Sequence, residues 1–255
     1  MASSRKFAIT VFGATGDAGS ACAYHAVKNA GTNKIALAGR NLAKVTAIRD
    51  DVCNRLGVAK DNVDIVVADA QDPQSMLNMA KNTTILLACA GPFARHGESA
   101  IAACIEGGAH YLDITGEVRW VNEMRIRYHQ QAVDAGVAIM SFTGHDCVLT
   151  ELALYLVHQQ CKEATTRLTS FETVQATRGG GMPKGTVNTM LDAIDFGTGI
   201  KSTEDSVTNL IQEEDSKTNV DGGAPFVPAQ FKNCVADALA GSRWIFPSFS
   251  AQVMQ

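Results

Sequence analysis

The sequence predicts an α/β chain: a doubly wound parallel sheet with helices on both faces, followed by an α+β substrate or dimerisation domain that is cut short. Three observations predict it. Short β-branched and apolar runs alternate with helix-length segments at βαβ spacing. A glycine-rich turn separates the first run from the first helix. The alternation then changes character past residue 145, which places a first domain over 1–145 and a second over 146–255.

The first strand is expected over 6–12, ending at Gly13-Ala14-Thr15-Gly16-Asp17-Ala18-Gly19. Residues 20–30 are rich in Ala and close at Gly31, as a helix with a C-terminal glycine does. A strand over 34–38, a helix over 41–56 stopped by Gly57, and a strand over 63–68 complete β-α-β-α-β. Asp72-Pro73 opens the next helix, with proline in its first turn. A fourth strand over 83–88, a helix over 97–106 ending at Gly107-Gly108, and a fifth strand over 110–114 follow. A longer helix over 119–134 ends at Gly136, before a strand over 137–140 and a helix over 148–160. Beyond these come a strand over 167–176, a Gly-rich loop over 178–185, a helix over 186–194 and a polar loop over 201–225. The last residues, including Trp244, Ile245, Phe246 and Phe249, are apolar, and we expect either a truncated product or burial by a second copy in a homodimer.

Composition removes several classes. The 22 Lys and Arg against 26 Asp and Glu give a formal charge of -4, leaving no basic surplus for nucleic acid. The longest apolar run, 85–90, is stopped by Gly91-Pro92, far short of the ~20 residues a membrane helix needs. The N-terminus runs directly into a strand, so a cytoplasmic location is expected. Seven cysteines without a C-x-x-C pair read as reduced thiols, not as a disulfide framework. His145-Asp146-Cys147 puts three ligand types in a row, but no second cluster completes a site, so no metal is expected.

The G-x-x-G-x-x-G loop follows the first strand and opens the first helix, so its bare N–H groups and the helix dipole face the place of a pyrophosphate. Gly13, Ala14, Thr15, Gly16, Ala18 and Gly19 are the candidate residues of this Rossmann-type dinucleotide site. At the end of the second strand, where an acid would accept from a ribose 2′-OH, stands Arg40-Asn41, with Lys44 one turn on. A guanidinium forks to a 2′-phosphate, so NADP is the expected cofactor; the plain alternative for Arg40 is a surface arginine. Asp69 is placed to bond an adenine amine or to cap a loop. Ala90, Gly91 and Pro92 keep the backbone small where the nicotinamide half passes.

Hydride transfer asks the protein for orientation and a proton donor. The only Tyr-x-x-x-Lys spacing, Tyr24 to Lys28, sits on the helix after the glycine loop, the wrong place for a short-chain dehydrogenase pair. Asp113 and Glu117 follow the fifth strand at its carboxyl end and are the candidate cleft carboxylates, with helix capping as the competing reading. His145 and Asp146, after the sixth strand, are candidates facing the nicotinamide, again against capping. His129 reads as packed or solvated, and Lys184 as a residue that attracts an anionic substrate or belongs to a flexible loop.

With these residues in place the chain resembles the saccharopine dehydrogenase-like oxidoreductases, a family related to saccharopine dehydrogenase and to trans-acting enoyl reductases. The carriers are Gly13-Ala14-Thr15-Gly16, Ala36-Leu37-Ala38-Gly39-Arg40-Asn41, Gly91-Pro92-Phe93, and Tyr111-Leu112-Asp113-Ile114-Thr115-Gly116-Glu117 with Trp120 and Tyr128-His129 behind it. Two departures stand out: Asp17 replaces an aromatic, and a Gly-Phe-Asp-Ser-Val-Pro motif is here Gly144-His145-Asp146-Cys147-Val148-Leu149. The resemblance implies an NADP-dependent oxidoreductase transferring hydride to or from a small molecule of imine, amino acid or enoyl type. The competing function is a silent NADP(H)-binding protein that acts as a redox-responsive interaction partner.

Overall fold

The computed structural model describes residues 5–166 and a few positions beyond, 168, 171, 185–187, 189 and 191. The chain divides into two units, Met1–Gly144 with Thr177–Lys201, and His145–Ala176 with Ser202–Gln255. The first runs β1 (Phe7–Phe12), α1 (Asp17–Lys28), β2 (Ile35–Gly39), α2 (Leu42–Leu56), β3 (Val63–Val67), α3 (Pro73–Lys81), β4 (Thr83–Ala88), α4 (Phe93–Gly107), β5 (His110–Asp113), α5 (Val118–Ala135) and β6 (Ile139–Met140). The described helix of the second is α6 (His145–Glu163).

The strands form one parallel sheet in the order β3-β2-β1-β4-β5-β6, the doubly wound arrangement the alternation predicts. From β1 the chain winds one way through β2 and β3, then returns to β4 on the other side of β1. A crevice therefore opens beyond the carboxyl ends of β1 and β4.

Side chains of neighbouring strands alternate between the two faces. Val11, Leu37 and Leu87, in register with one another, pack with Val27, Val45 and Val52 of α1 and α2. One residue on, Phe12, Ala38 and Ala88 turn to the other face, against Met76, Met79, Ile101, Trp120 and Met124 of α3, α4 and α5. Each large apolar side chain so buried contributes about 1.5–3 kcal/mol. Between strands, Thr83 Oγ1 donates to Met79 O at 2.7 Å, which makes Thr10 the donor in the buried Thr10–Thr83 hydroxyl pair, also 2.7 Å. Ahead of β1, the Arg5 guanidinium donates to the carbonyls of Ala80 and Thr83 at 3.0 Å and of Gly107 and Gly108 at 2.9 and 2.8 Å. One cation thereby satisfies carbonyls at the C-terminal ends of α3 and α4, where the helix dipoles favour positive charge.

Several helices begin earlier than the sequence predicts. α1 starts at Asp17 instead of 20, α4 at Phe93 instead of 97, and α6 at His145 instead of 148. Gly97, expected as the first residue of its helix, lies within α4 and makes room there: a Cβ on it would lie 2.4 Å from the Trp120 ring. α1 ends before Gly31 because Asn29 closes it, its side-chain amide and backbone N–H both donating to His25 O. β6 is shorter than expected, only Ile139–Met140. Positions 186, 187, 189 and 191 are helical, within the segment predicted over 186–194, and position 185, expected to end the Gly-rich loop, is helical too. Of the strand expected over 167–176, only positions 168 and 171 are described, neither of them in a strand; Lys184, the polar loop over 201–225 and the apolar end with Trp244, Ile245, Phe246 and Phe249 lie outside the described residues. Among the described residues no helix is long and apolar enough to cross a membrane, and no group of three His, Cys, Asp or Glu is placed to hold a metal ion.

Candidate functional site

The loop between β1 and α1 is fixed from below and open above. The N–H groups of Gly13 and Ala14 both donate to Ala38 O, at 3.0 and 3.2 Å, which fastens the loop to the end of β2. Gly13 has φ +82°, and a Cβ on it would lie 2.7 Å from the backbone N of Ala90. The turn at the end of β1 thus presses against the turn at the end of β4. Gly19 is buried in the first turn of α1, where a Cβ would stand 2.0 Å from Gly13 O. Those two glycines are required by the chain's own packing.

Gly16 is different. Its φ of -83° is open to any residue, and a Cβ there would meet only Gly13 O, at 3.6 Å. Nothing in the chain demands glycine at this exposed point. Gly16 is also the N-cap of α1 and offers no side-chain acceptor, while the N–H groups of Asp17, Ala18 and Gly19 have no backbone acceptor among the described residues. A bare helix end with room for close backbone approach fits a dinucleotide's pyrophosphate. Thr15 and Ala18 are exposed beside it, and Ala14 is buried beneath.

Arg40 follows β2 directly and is exposed, and Lys44 lies exposed in the first turn of α2; neither has an ion-pair partner among the described residues. Their charges are unspent. Asn41, expected at the cofactor, is the N-cap of α2, its Oδ1 accepting from Lys44 N at 3.0 Å. Asp69 closes an Asx turn, Oδ1 accepting from Gln71 N at 3.0 Å. Both side chains therefore carry a local structural task.

Ala90, Gly91 and Pro92 lead from β4 into α4, whose N-cap is Pro92 without a side-chain acceptor. Glu117 supplies it from 24 residues away: Oε1 accepts from Phe93 N and Oε2 from Ala94 N, both at 2.8 Å. A carboxylate on two N–H groups at a helix N-terminus is a favourable charge-dipole arrangement. The Glu117 backbone N–H in turn donates to Thr115 Oγ1 at 3.0 Å. The sequence reading allowed for capping, but of the helix Glu117 itself precedes; the structure has it capping α4.

Asp113 is fully buried at the end of β5. Its Oδ1 accepts from Thr115 N at 3.0 Å and Phe142 N at 3.2 Å, its Oδ2 from Ser141 Oγ at 2.8 Å. Its backbone O accepts from Thr143 N and Thr143 Oγ1. Burial raises its pKa above the usual carboxylate value, against the opposing pull of the Thr115 and Ser141 hydrogen bonds. Phe142 has φ +62°, a left-handed backbone that costs a non-glycine residue about 1–2 kcal/mol, and its N–H bond to Asp113 helps hold it. Asp113 thereby ties the loop after β5 to the loop after β6. Ser141, Phe142 and Thr143 were not singled out in the sequence, because nothing local to 141–143 points back to a carboxylate some 28 residues earlier. In the second unit, His145 is exposed at the first residue of α6, and the side chain of Asp146 is outside the described residues.

Residues 9–140 match the family model of the saccharopine dehydrogenase NADP-binding domain. The chain is 33% identical over 159 residues to a trans-acting enoyl reductase of Mycobacterium ulcerans, covering 62% of this chain and 37% of that protein. It is 32% identical over 180 residues to the human saccharopine dehydrogenase-like oxidoreductase, covering 68% of this chain and 42% of that protein. Among solved structures, the apo saccharopine dehydrogenase (L-Glu forming) of Saccharomyces cerevisiae matches with a TM-score of 0.48 at 12% identity, over 62% of this chain and 32% of that one. The chain spans less than half the length of the curated relatives it matches.

Proposed function

The chain belongs to the saccharopine dehydrogenase NADP-binding domain family, and from that premise we propose that it is the cofactor-binding part of an oxidoreductase that moves hydride between NADP(H) and a small substrate of imine, amino acid or enoyl type. The observation that carries the reading is the loop in which Gly13 and Gly19 are spent on packing while Gly16 leaves open space over the bare N-terminus of α1. Bound there, NADPH supplies the hydride. The chain's own residues bind and orient. The α1 N–H groups hold the pyrophosphate, Arg40 forks to the 2′-phosphate with Lys44 adding charge, and Ala90, Gly91 and Pro92 let the nicotinamide half pass close to the backbone. Asp113 and Glu117 serve this reading as frame, keeping the loops after β4 and β5 in place, and not as acid or base. A cytoplasmic location and a homodimer belong to the same proposal.

A second reading has an observation of its own. Both carboxylates at the carboxyl end of β5 are taken up by backbone N–H and hydroxyl donors, which suits a protein that binds NADP(H) without turning a substrate over. Following nicotinamide absorbance in mixtures of the chain, NADPH and enoyl thioesters, imines or keto acids decides between them. Oxidation that depends on one substrate class supports the enzyme. Saturable NADPH binding with no oxidation by any of them favours the silent binder, and absence of NADPH binding overturns both.

A further inference from the structure

Phe142 occupies a backbone conformation that its side chain opposes. Its φ of +62° lies in the left-handed region that glycine and asparagine enter readily. Four hydrogen bonds nonetheless hold the segment on one residue: Phe142 N donates to Asp113 Oδ1 at 3.2 Å and Ser141 Oγ to Oδ2 at 2.8 Å, while Thr143 N and Oγ1 donate to Asp113 O at 2.8 and 2.6 Å. Just beyond, a Cβ on Gly144 would lie 3.4 Å from Ile114, so the turn after β6 also rests on the turn after β5. Backbone outliers held this firmly cluster at ligand sites.

The core does not use the ring. Phe142 is half-buried, yet it belongs to neither apolar cluster of the sheet, and among the described residues it pairs with no other aromatic ring. Phe93, Ile114 and Ile139, near the same edge of the sheet, all pack into the cluster beneath.

Its position supplies a use. β4, β5 and β6 form the second half of the doubly wound sheet, the half that takes one mononucleotide of a dinucleotide when the glycine-loop half takes the other. The bond to Asp113 draws the Phe142 backbone to the carboxyl end of β5, one strand from β4, which Ala90, Gly91 and Pro92 follow, and two strand spacings, about 10 Å, from the end of β1. Gly116, exposed beyond the end of β5, leaves open space, since nothing lies within 4 Å of a Cβ built on it. The carboxylates there, Asp113 and Glu117, are taken up by donors of the chain itself. What this end offers a flat ring is an apolar surface.

We propose that Phe142 is the platform on which the nicotinamide ring of NADP rests, an inference that builds on the NADP reading of the site. A phenyl group stacks on a flat ring with an offset, and the contact is worth one aromatic pair. Asp113, which touches no ligand in this arrangement, is a positioning residue acting through Phe142.

The experiment titrates NADP, NADPH and 2′-phospho-ADP-ribose, which lacks only the nicotinamide, into the 255-residue chain and its Phe142→Asn and Phe142→Tyr variants by calorimetry. Phe142→Asn removes the ring and keeps a residue suited to positive φ. It is expected to weaken NADP and NADPH roughly three- to tenfold, to leave 2′-phospho-ADP-ribose unchanged, and to leave the urea midpoint no lower than that of wild type. Phe142→Tyr is expected to keep the wild-type affinities. Unchanged NADP affinity in Phe142→Asn, equal weakening of NADP and 2′-phospho-ADP-ribose, or a urea midpoint lowered as far as failure to fold would each overturn the proposal, the last by making the ring part of the chain's own packing. In all three cases binding of 2′-phospho-ADP-ribose to wild type leaves the NADP reading standing. If wild type binds neither it nor NADP, that reading falls and the platform with it.

Discussion

The two ends of the crevice handle their polar groups in opposite ways. Beyond β1 and β2 the donors are left over: three N–H groups at the start of α1 without backbone acceptors, and exposed Arg40 and Lys44 without ion-pair partners among the described residues. Beyond β5 the acceptors are spent, Asp113 on Thr115, Phe142 and Ser141, and Glu117 on the first turn of α4. Exposed donors of this kind are met by water until an anion takes its place. The comparison teaches that the binding end is recognised by what is unsatisfied, and that a carboxylate in a cleft is not thereby an acid or a base.

The comparison can be broken most forcefully at Asp113. Asp113→Ala leaves the N–H groups of Thr115 and Phe142 and the Ser141 hydroxyl without their acceptor, at about 3 kcal/mol or more in total when each buried orphan costs about 1–3; urea unfolding measures it. Asp113→Asn is expected to be far milder, since its Oδ1 still accepts from both N–H groups and its amide donates to Ser141 Oγ. The same variant carries a pH signature. Because the folded pKa of Asp113 is raised by burial, the stability it contributes is full below the unfolded value of about 3.9 and is lost as pH rises through the folded value. Wild type is therefore expected to lose stability relative to Asp113→Asn as urea melts are moved upward from about pH 4. An identical pH dependence for the two would remove Asp113 from the account.

Smaller effects sharpen the contrast. Gly19→Ala drives a Cβ into Gly13 O, and overpacking of this kind costs about 1–3 kcal/mol, so both melting temperature and NADP affinity should fall. Glu117→Ala uncaps α4 for about 1–2 kcal/mol, and Glu117→Gln, which keeps one acceptor, for less; thermal melts compare them. If Glu117 were also a general acid or base, both substitutions would abolish turnover equally, although Glu117→Gln costs less stability. Gly16→Ala is expected to change stability by less than about 0.5 kcal/mol yet weaken NADP in a binding titration, because only the ligand occupies that space.

The alternation of strands and helices and the glycine loop were legible because their signals are local: β-branched runs, Gly stops, Pro73 at the start of α3 and Asn41 at the start of α2. What the sequence hid is held together across the chain. Glu117 caps a helix 24 residues earlier, and the only hint is negative, that Pro92 offers α4 no side-chain acceptor. Gly97 was read as the first residue of its helix, and the room it makes for the Trp120 ring shows only once α4 and α5 are packed. Arg5 reads as part of a charged terminus, and its carbonyl partners come together only once α3 and α4 are packed.

The central claim is that the unspent Arg40 recognises the 2′-phosphate of NADP, and calorimetric titration of NADP and NAD into Arg40→Ala tests it most directly. A charge-assisted fork is worth ~1.5–3 kcal/mol, so NADP is expected to weaken by roughly ten- to a hundredfold at about 1.4 kcal/mol per decade. NAD, which lacks the phosphate, should change little, and Lys44→Ala should give a smaller loss of NADP because its ammonium is a point charge. Equal weakening of both cofactors by Arg40→Ala would contradict the claim and make the arginine a support of the fold.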